Sequence, residues 1–460
     1  MKDKVTEANI CMILDTFMYT DYSFAKEGDT LEKIIDEMPE YVDVSGAYKE
    51  EYEILKDASE NPKIGNLRIS NMARRMGYND GTNAVTFVND KDNKVYVVYR
   101  GTADGEWLDN GNGMTKSVTN QQKEATRYFD EVVQNLELDG SQAVYISGHS
   151  KGGNKVQFVT MDSENSDYIT ACYSVDGQGQ SEKAIKTWKS RYSEEEYEKR
   201  TSKIYGINGQ NDFISVLGNC IIPLGNISYI KTPCETTNIA GCHDITMMYA
   251  KEEIGENGEV TYKYTGDRND YVFEKGKLGD WANKLSDELM KIPSMLRDGC
   301  AASMMQLVEI VNGNRMTGLL NEHATLQDIR EFKDIGIPVI IGSILGSHEG
   351  LELIKGFIKD DGLINDIKVS GSLDVNYTEL RNEAERLENL AKNMDQYLLE
   401  IEMAGSVIPL LFDGYSFRKP HIDNSVCKLK YEQLKIRKIA ALQEQIAKLY
   451  EKFDNMDFGI

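Results

Sequence analysis

At 460 residues the chain is too long for one comfortable core, and two or three domains are expected. Apolar residues make up 40% and aromatics 9%, which is ample core material, so the net charge of −23 describes a solvated acidic surface and not a disordered chain. The same acidity excludes nucleic acid as a partner, because no concentrated basic face is present in the first 400 residues, and it disfavours docking on anionic lipid by charge alone.

The N-terminus, MKDKVTEANICMILDTFMYTDYSF, interleaves acids with its apolar positions and lacks a small-residue cleavage site. It is therefore not read as a signal peptide, and the protein is expected in the cytoplasm or exported without a conventional leader. Residues 1–80 are predicted to be helical and to cap the sheet, with Ile10, Ile13, Leu14 and Phe17 at helix spacing. The pattern then changes. Ala84 to Val88 and Val95 to Tyr99 are rich in β-formers and flank a DKDNK turn, and a helix is predicted from Gln121 to Asn135. An apolar run at Val144 to Ser147, a helix from Lys151, and strands at Thr170 to Val175 and Lys203 to Ile207 follow. Strands alternating with helices at this spacing imply a mostly parallel sheet covered on both faces.

After Tyr271 the strand signals disappear, and Trp281 to Leu319 is predicted as helices rich in Met and Leu. The longest uncharged stretch, Ile335 to Ser347, is about 13 residues and contains Pro338, whereas a bilayer span needs about 20. It is expected to be buried, and the chain is not expected to be an integral membrane protein. Leu380, Ala384, Leu387, Ala391, Met394, Leu398 and Ile401 follow a 4-3 spacing, repeated by Ile439, Leu442, Ile446, Leu449 and Phe453. Two such segments predict a long antiparallel helical hairpin suited to self-association or a protein partner. The expected domains are residues 1–270, with a core of about 85–250, a helical region at 271–370, and the hairpin at 371–460. Seven scattered cysteines without CxxC pairs point to reduced thiols, and no metal is expected.

The chemistry is carried by SGHSKGG, Ser147 to Gly153, between a predicted strand and a predicted helix. This is the required context of a nucleophile elbow on an α/β-hydrolase sheet: Ser150 sits on a sharp turn, Gly148 and Gly152 let strand and helix approach, and the Lys151 N–H faces the developing oxyanion. A serine nucleophile needs a base near neutrality. Of five histidines, His149 lies in the elbow and is expected to point elsewhere, while His323, His348 and His421 fall in the helical C-terminal region. His243, in GCHDITMM, remains. The orienting acid should follow a strand beyond the nucleophile; Asp212 in QNDFIS is preferred, with Asp176 in YSVDGQG as the alternative. Asp244 is expected to cap a helix. Thr102, in the YRGT turn that closes an earlier strand, can offer a second oxyanion donor.

The pair YRGT and GHSKGG, with Trp107 after the first and QNDFI downstream, resembles the class 3 lipases and a bacterial branch of lipase-like α/β hydrolases. The resemblance covers about residues 85–250. It implies triad roles for Ser150, Asp212 and His243, an oxyanion hole from Thr102 and Lys151, an acyl-ester or lipid substrate, and no cofactor. Two departures stand out. Lys151 replaces an apolar residue, which argues against a purely apolar substrate, and the glycine-rich WLDNGNG predicts a mobile mouth. The C-terminal helices more distantly resemble the WXG- and LXG-type targeting helices of type VII secretion effectors, and the alternative this implies is an exported or interaction protein whose hydrolase fold is vestigial. The resemblance also leaves open peptide or thioester hydrolysis by the same residues.

Overall fold

The computed structural model describes residues 6–73, 84–103, 106–233, 241–255 and 260–277, with isolated helical positions beyond them. The chain divides into two compact units, residues 1–332 and 333–460. In the second, positions 381, 382, 385, 386, 388, 389, 392 and 437 are described, all helical. The seam residues of the expected hairpin and the Ile335 to Ser347 stretch lie outside the described residues.

Helix α1 (Glu7–Phe17) is capped by Thr6, whose side chain accepts the Asn9 N–H at 3.3 Å. Every residue from Ile10 to Phe17 is buried. A helix covered all round belongs in a core, not on its rim. Helices α2 (Leu31–Glu37), α3 (Lys49–Ser59) and α4 (Pro62–Gly65) follow. The all-helical expectation for residues 1–80 fails at β1 (Arg68–Ala73), which lies antiparallel to β2 (Ala84–Asn89). RISNMA alternates weakly, and its strand state comes from pairing with β2 instead of from its own pattern.

Strands β2 and β3 (Lys94–Tyr99) form the expected hairpin, in register from Ala84↔Tyr99 to Asn89↔Lys94. Next come α5 (Trp107–Thr115) and α6 (Asn120–Asn135), the latter closed by a Thr119–Gln122 capping box. The chain continues through β4 (Ala143–His149), α7 (Lys151–Asp162), β5 (Ile169–Val175), α8 (Glu182–Arg191), α9 (Glu194–Ser202), β6 (Ile204–Gly209) and β7 (Ile227–Ile230). A separate hairpin, β8 (Ala250–Ile254) with β9 (Val260–Tyr264), precedes β10 (Tyr271–Val272).

The main sheet runs β1-β2-β3-β4-β5-β6-β7-β10. Its five central strands, β3 to β7, are parallel, and antiparallel strands close both edges. The protein is thus an α/β fold. Along β3, Tyr96 and Val98 enter one core with Ile13, Phe17, Ile34 and Leu55, while Val95, Val97 and Tyr99 enter another with Phe129, Val132, Val156 and Trp188. Apolar residues on both faces are what a sheet with two helical layers requires. The N-terminal helices supply one of those layers. The C-terminal ends of β3, β4, β5 and β6 deliver Thr102, Ser150, Asp176 and Asp212, the end of a parallel sheet where ligands are received.

Candidate active site

Ser150 ends β4 and starts α7 with φ 59° and ψ −121°, a backbone state that L-residues rarely adopt. Its N–H donates to Val175 O at 2.9 Å, and its own carbonyl accepts the Asn154 N–H at 3.2 Å. The flanking glycines are required by close approach. A Cβ on Gly148 would stand 2.4 Å from the Gly152 carbonyl carbon, and one on Gly152 would stand 2.2 Å from Tyr99 O.

Ser150 Oγ lies 2.8 Å from His243 Nε2, and His243 Nδ1 lies 2.6 Å from Asp212 Oδ1. Asp212 is 1% exposed. It is held by the turn after β6, where the Ser215 N–H donates to Oδ2 at 2.6 Å and the Ile214 N–H to Oδ1 at 3.3 Å. His243 sits on a short 3-10 turn, Gly241–His243, with the Phe213 ring 5.7 Å away in an edge arrangement. Asp244 caps the next turn by accepting the Thr246 N–H at 2.9 Å.

Asp176 is placed differently. It stands at φ 45° after β5, and its Oδ1 accepts the Gly209 N–H at 2.7 Å. Burial, and then the charge of Asp212, push its pKa well above the usual carboxylate range. The structure therefore brings Ser150, His243 and Asp212 into one hydrogen-bonded chain and leaves Asp176 beside it. His149, Asp176 and His243 each present a possible metal-ligand atom within 4.8 Å of one another. Both nitrogens of each ring are already hydrogen-bonded, to Tyr19 and His243 O for His149 and to Ser150 and Asp212 for His243.

A cleft of about 230 Å³ opens on Ser150, with Thr102, Trp107, His149 and His243 in its wall. Tyr19 and Glu51 line it from the N-terminal helical layer, and Asp244 and Ile245 from the turn after His243. Neither Tyr19 nor Glu51 was legible as a site residue in the sequence, because packing alone carries them there. Burial pushes the Glu51 carboxyl up to about 7. Thr102 Oγ1 accepts from Asn110 Nδ2 at 2.8 Å.

The Lys151 side chain turns away from this cleft. Buried at 1% exposure, its Nζ lies 2.9 Å from Asp109 Oδ2 and donates to Asp109 O at 3.0 Å. The ammonium is not in the cleft wall, so Lys151 does not disfavour a purely apolar substrate as its place in the sequence suggested. The glycines of WLDNGNG also find a local reason, and residues 107–115 form α5: a Cβ on Gly113 would stand 2.8 Å from Lys151 Nζ. The expectation of reduced thiols holds for Cys11, Cys172 and Cys220 but fails at Cys242, which is disulfide-bonded. Sequence spacing cannot report such pairing, which depends on distance in the fold.

Residues 58–215 match the sequence profile of the Mbeg1-like family, a stretch that includes Ser150 and Asp212 and ends before His243. No curated protein matches the chain. Among solved structures, it is similar to the Rhizomucor miehei lipase propeptide complex at 13% identity and TM-score 0.30, over 54% of this chain and 78% of that one. A fungal lipase–inhibitor complex gives 12% identity and TM-score 0.30, over 60% and 87%. Lip2 lipase from Yarrowia lipolytica gives 12% identity and TM-score 0.23, over 36% and 67%.

Proposed function

We propose that this chain is a serine carboxyl-ester hydrolase of lipase or phospholipase type, working through an acyl-enzyme. The observation that carries the reading is the 2.8 Å approach of Ser150 Oγ to His243 Nε2, with Asp212 2.6 Å behind the same ring. A neutral imidazole whose Nδ1–H is held by a buried carboxylate presents the bare Nε2 lone pair to the serine hydroxyl. His243 takes the Ser150 proton as Oγ attacks the acyl carbonyl. The backbone N–H groups of Lys151 and Thr102 receive the oxyanion. His243 then protonates the leaving alcohol, and the acyl group remains on Ser150. Water attacks the acyl-enzyme, with its proton passing to His243 and back to Ser150 as the acid leaves.

The test is turnover of a p-nitrophenyl ester panel of increasing acyl length by the full chain. The wild type should hydrolyse at least the short esters, and Ser150→Ala should lower kcat by about 10⁴-fold or more. A folded wild type inert on every ester, or an unimpaired Ser150→Ala, overturns the proposal.

A further inference from the structure

His149 precedes the nucleophile and is 4% exposed, and the hydrolase reading gives it no role. Its ring stacks on that of His243, with centroids 4.7 Å apart and planes 28° apart. Its Nε2 lies 3.0 Å from His243 O, and its Nδ1 lies 2.7 Å from Tyr19 Oη. A carbonyl oxygen only accepts, so Nε2 must carry a proton. Burial, and then the neighbouring His243, hold the His149 pKa well below the ordinary histidine value, so the ring is neutral and Nδ1 is bare. The Tyr19 hydroxyl, its own pKa pushed up by burial, must then donate to Nδ1. One hydroxyl from the N-terminal layer thereby selects the tautomer of His149, and that tautomer bonds the main chain of His243.

We infer that Tyr19 and His149 form a brace that positions His243 for proton transfer from Ser150. The brace fixes the His243 carbonyl and covers one ring face, while Asp212 fixes Nδ1. Without the His149 N–H, the 3-10 turn keeps its carbonyl unpaired and the His243 ring can slide from its 2.8 Å line to Ser150. A displacement of about 1 Å at a proton-transfer site lowers kcat far more than it changes substrate binding. Neutrality matters too, because a cationic ring stacked on His243 would oppose the imidazolium formed in each turnover. His149 is thus a positioning residue that acts through His243.

The inference rests on the hydrolase reading, and its test separates the two. His149→Phe keeps the stacking face but cannot donate. It is expected to lower kcat by about 10- to 100-fold with KM within about threefold, in a protein that still melts cooperatively. His149→Gln, whose amide can donate to the same carbonyl, should recover most of that loss. Tyr19 also lines the cleft, so its role is read by a double-mutant cycle: Tyr19→Phe should lower kcat in the wild type and have no further effect in His149→Phe. A readout independent of turnover is the ¹⁵N–¹H correlation spectrum of the histidine rings, which should show His149 as the Nε2–H tautomer in the wild type and a mixture in Tyr19→Phe. Unchanged kcat in His149→Phe, additive effects in the cycle, or an Nδ1–H tautomer in the wild type overturns the brace. A wild type without ester turnover but with the expected tautomer overturns the hydrolase reading and leaves the brace geometry standing.

Discussion

Asp212 Oδ1 lies 2.6 Å from His243 Nδ1, whereas Asp176, at the end of the neighbouring strand, spends its Oδ1 on the Gly209 N–H. Asp212→Asn should therefore lower kcat by about 10⁴-fold, since an amide cannot hold the imidazole in the productive tautomer. Burial pushes the Asp176 carboxyl well above the usual carboxylate range, and an asparagine there is uncharged, tolerates positive φ and can still accept from Gly209. Asp176→Asn should leave kcat within about tenfold. Steady-state kinetics of the two variants decide the assignment; reversed losses would make Asp176 the orienting acid.

The elbow stores strain at Ser150, at φ 59°. Ser150→Gly should be inactive yet as stable as the wild type or up to about 1 kcal/mol more stable, because glycine accepts positive φ freely. Gly148→Ala should cost about 3 kcal/mol or more, because the new Cβ meets backbone that cannot yield. Urea unfolding of both variants checks the pair, and a tolerated Gly148→Ala would contradict the close approach.

Lys151 and Asp109 are a buried ion pair linking α7 to α5. Lys151→Met strands the Asp109 charge and should destabilise by about 3–5 kcal/mol, with Asp109→Leu added on top recovering much of it. The Lys151 backbone N–H survives these changes. Variants that remain folded should therefore keep ester turnover, and losing it would place the ammonium in the chemistry.

Glu51 titrates at about 7 in the folded protein, against 4.5 for a free side chain. Folding raises the value, so the neutral form is favoured. Any stability tied to it is fully present below about pH 4.5 and is lost as pH rises through about 7. Glu51→Gln removes that loss. Its Tm relative to the wild type should rise between pH 5 and 8 and level off above; a flat difference across the range would contradict the shift.

The elbow was legible because its constraint is local: a positive-φ serine between a strand and a helix demands glycines two residues away on each side. The sequence singled out His243 by elimination among five histidines and Asp212 by its strand-end position, and the fold brings both to Ser150. Tyr19, Glu51 and the Asp109 partner of Lys151 left no such trace, because they reach the site through packing between distant segments. His149 was expected to point elsewhere. That reading missed its contact with His243, since the fold, not the order of residues, sets both His149 and Ser150 against the 3-10 turn that carries His243. Strand β1 was hidden for a related reason: an edge strand gets its conformation from its neighbour.

The central claim is that Ser150 is an activated nucleophile, and the most direct measurement is a fluorophosphonate reaction followed by intact mass and peptide mapping. The wild type should gain a single phosphonyl adduct on Ser150. Labelling should vanish in Ser150→Ala and slow by at least about 10³-fold in His243→Ala. A folded wild type that takes no label, or takes it on another residue, would contradict the account.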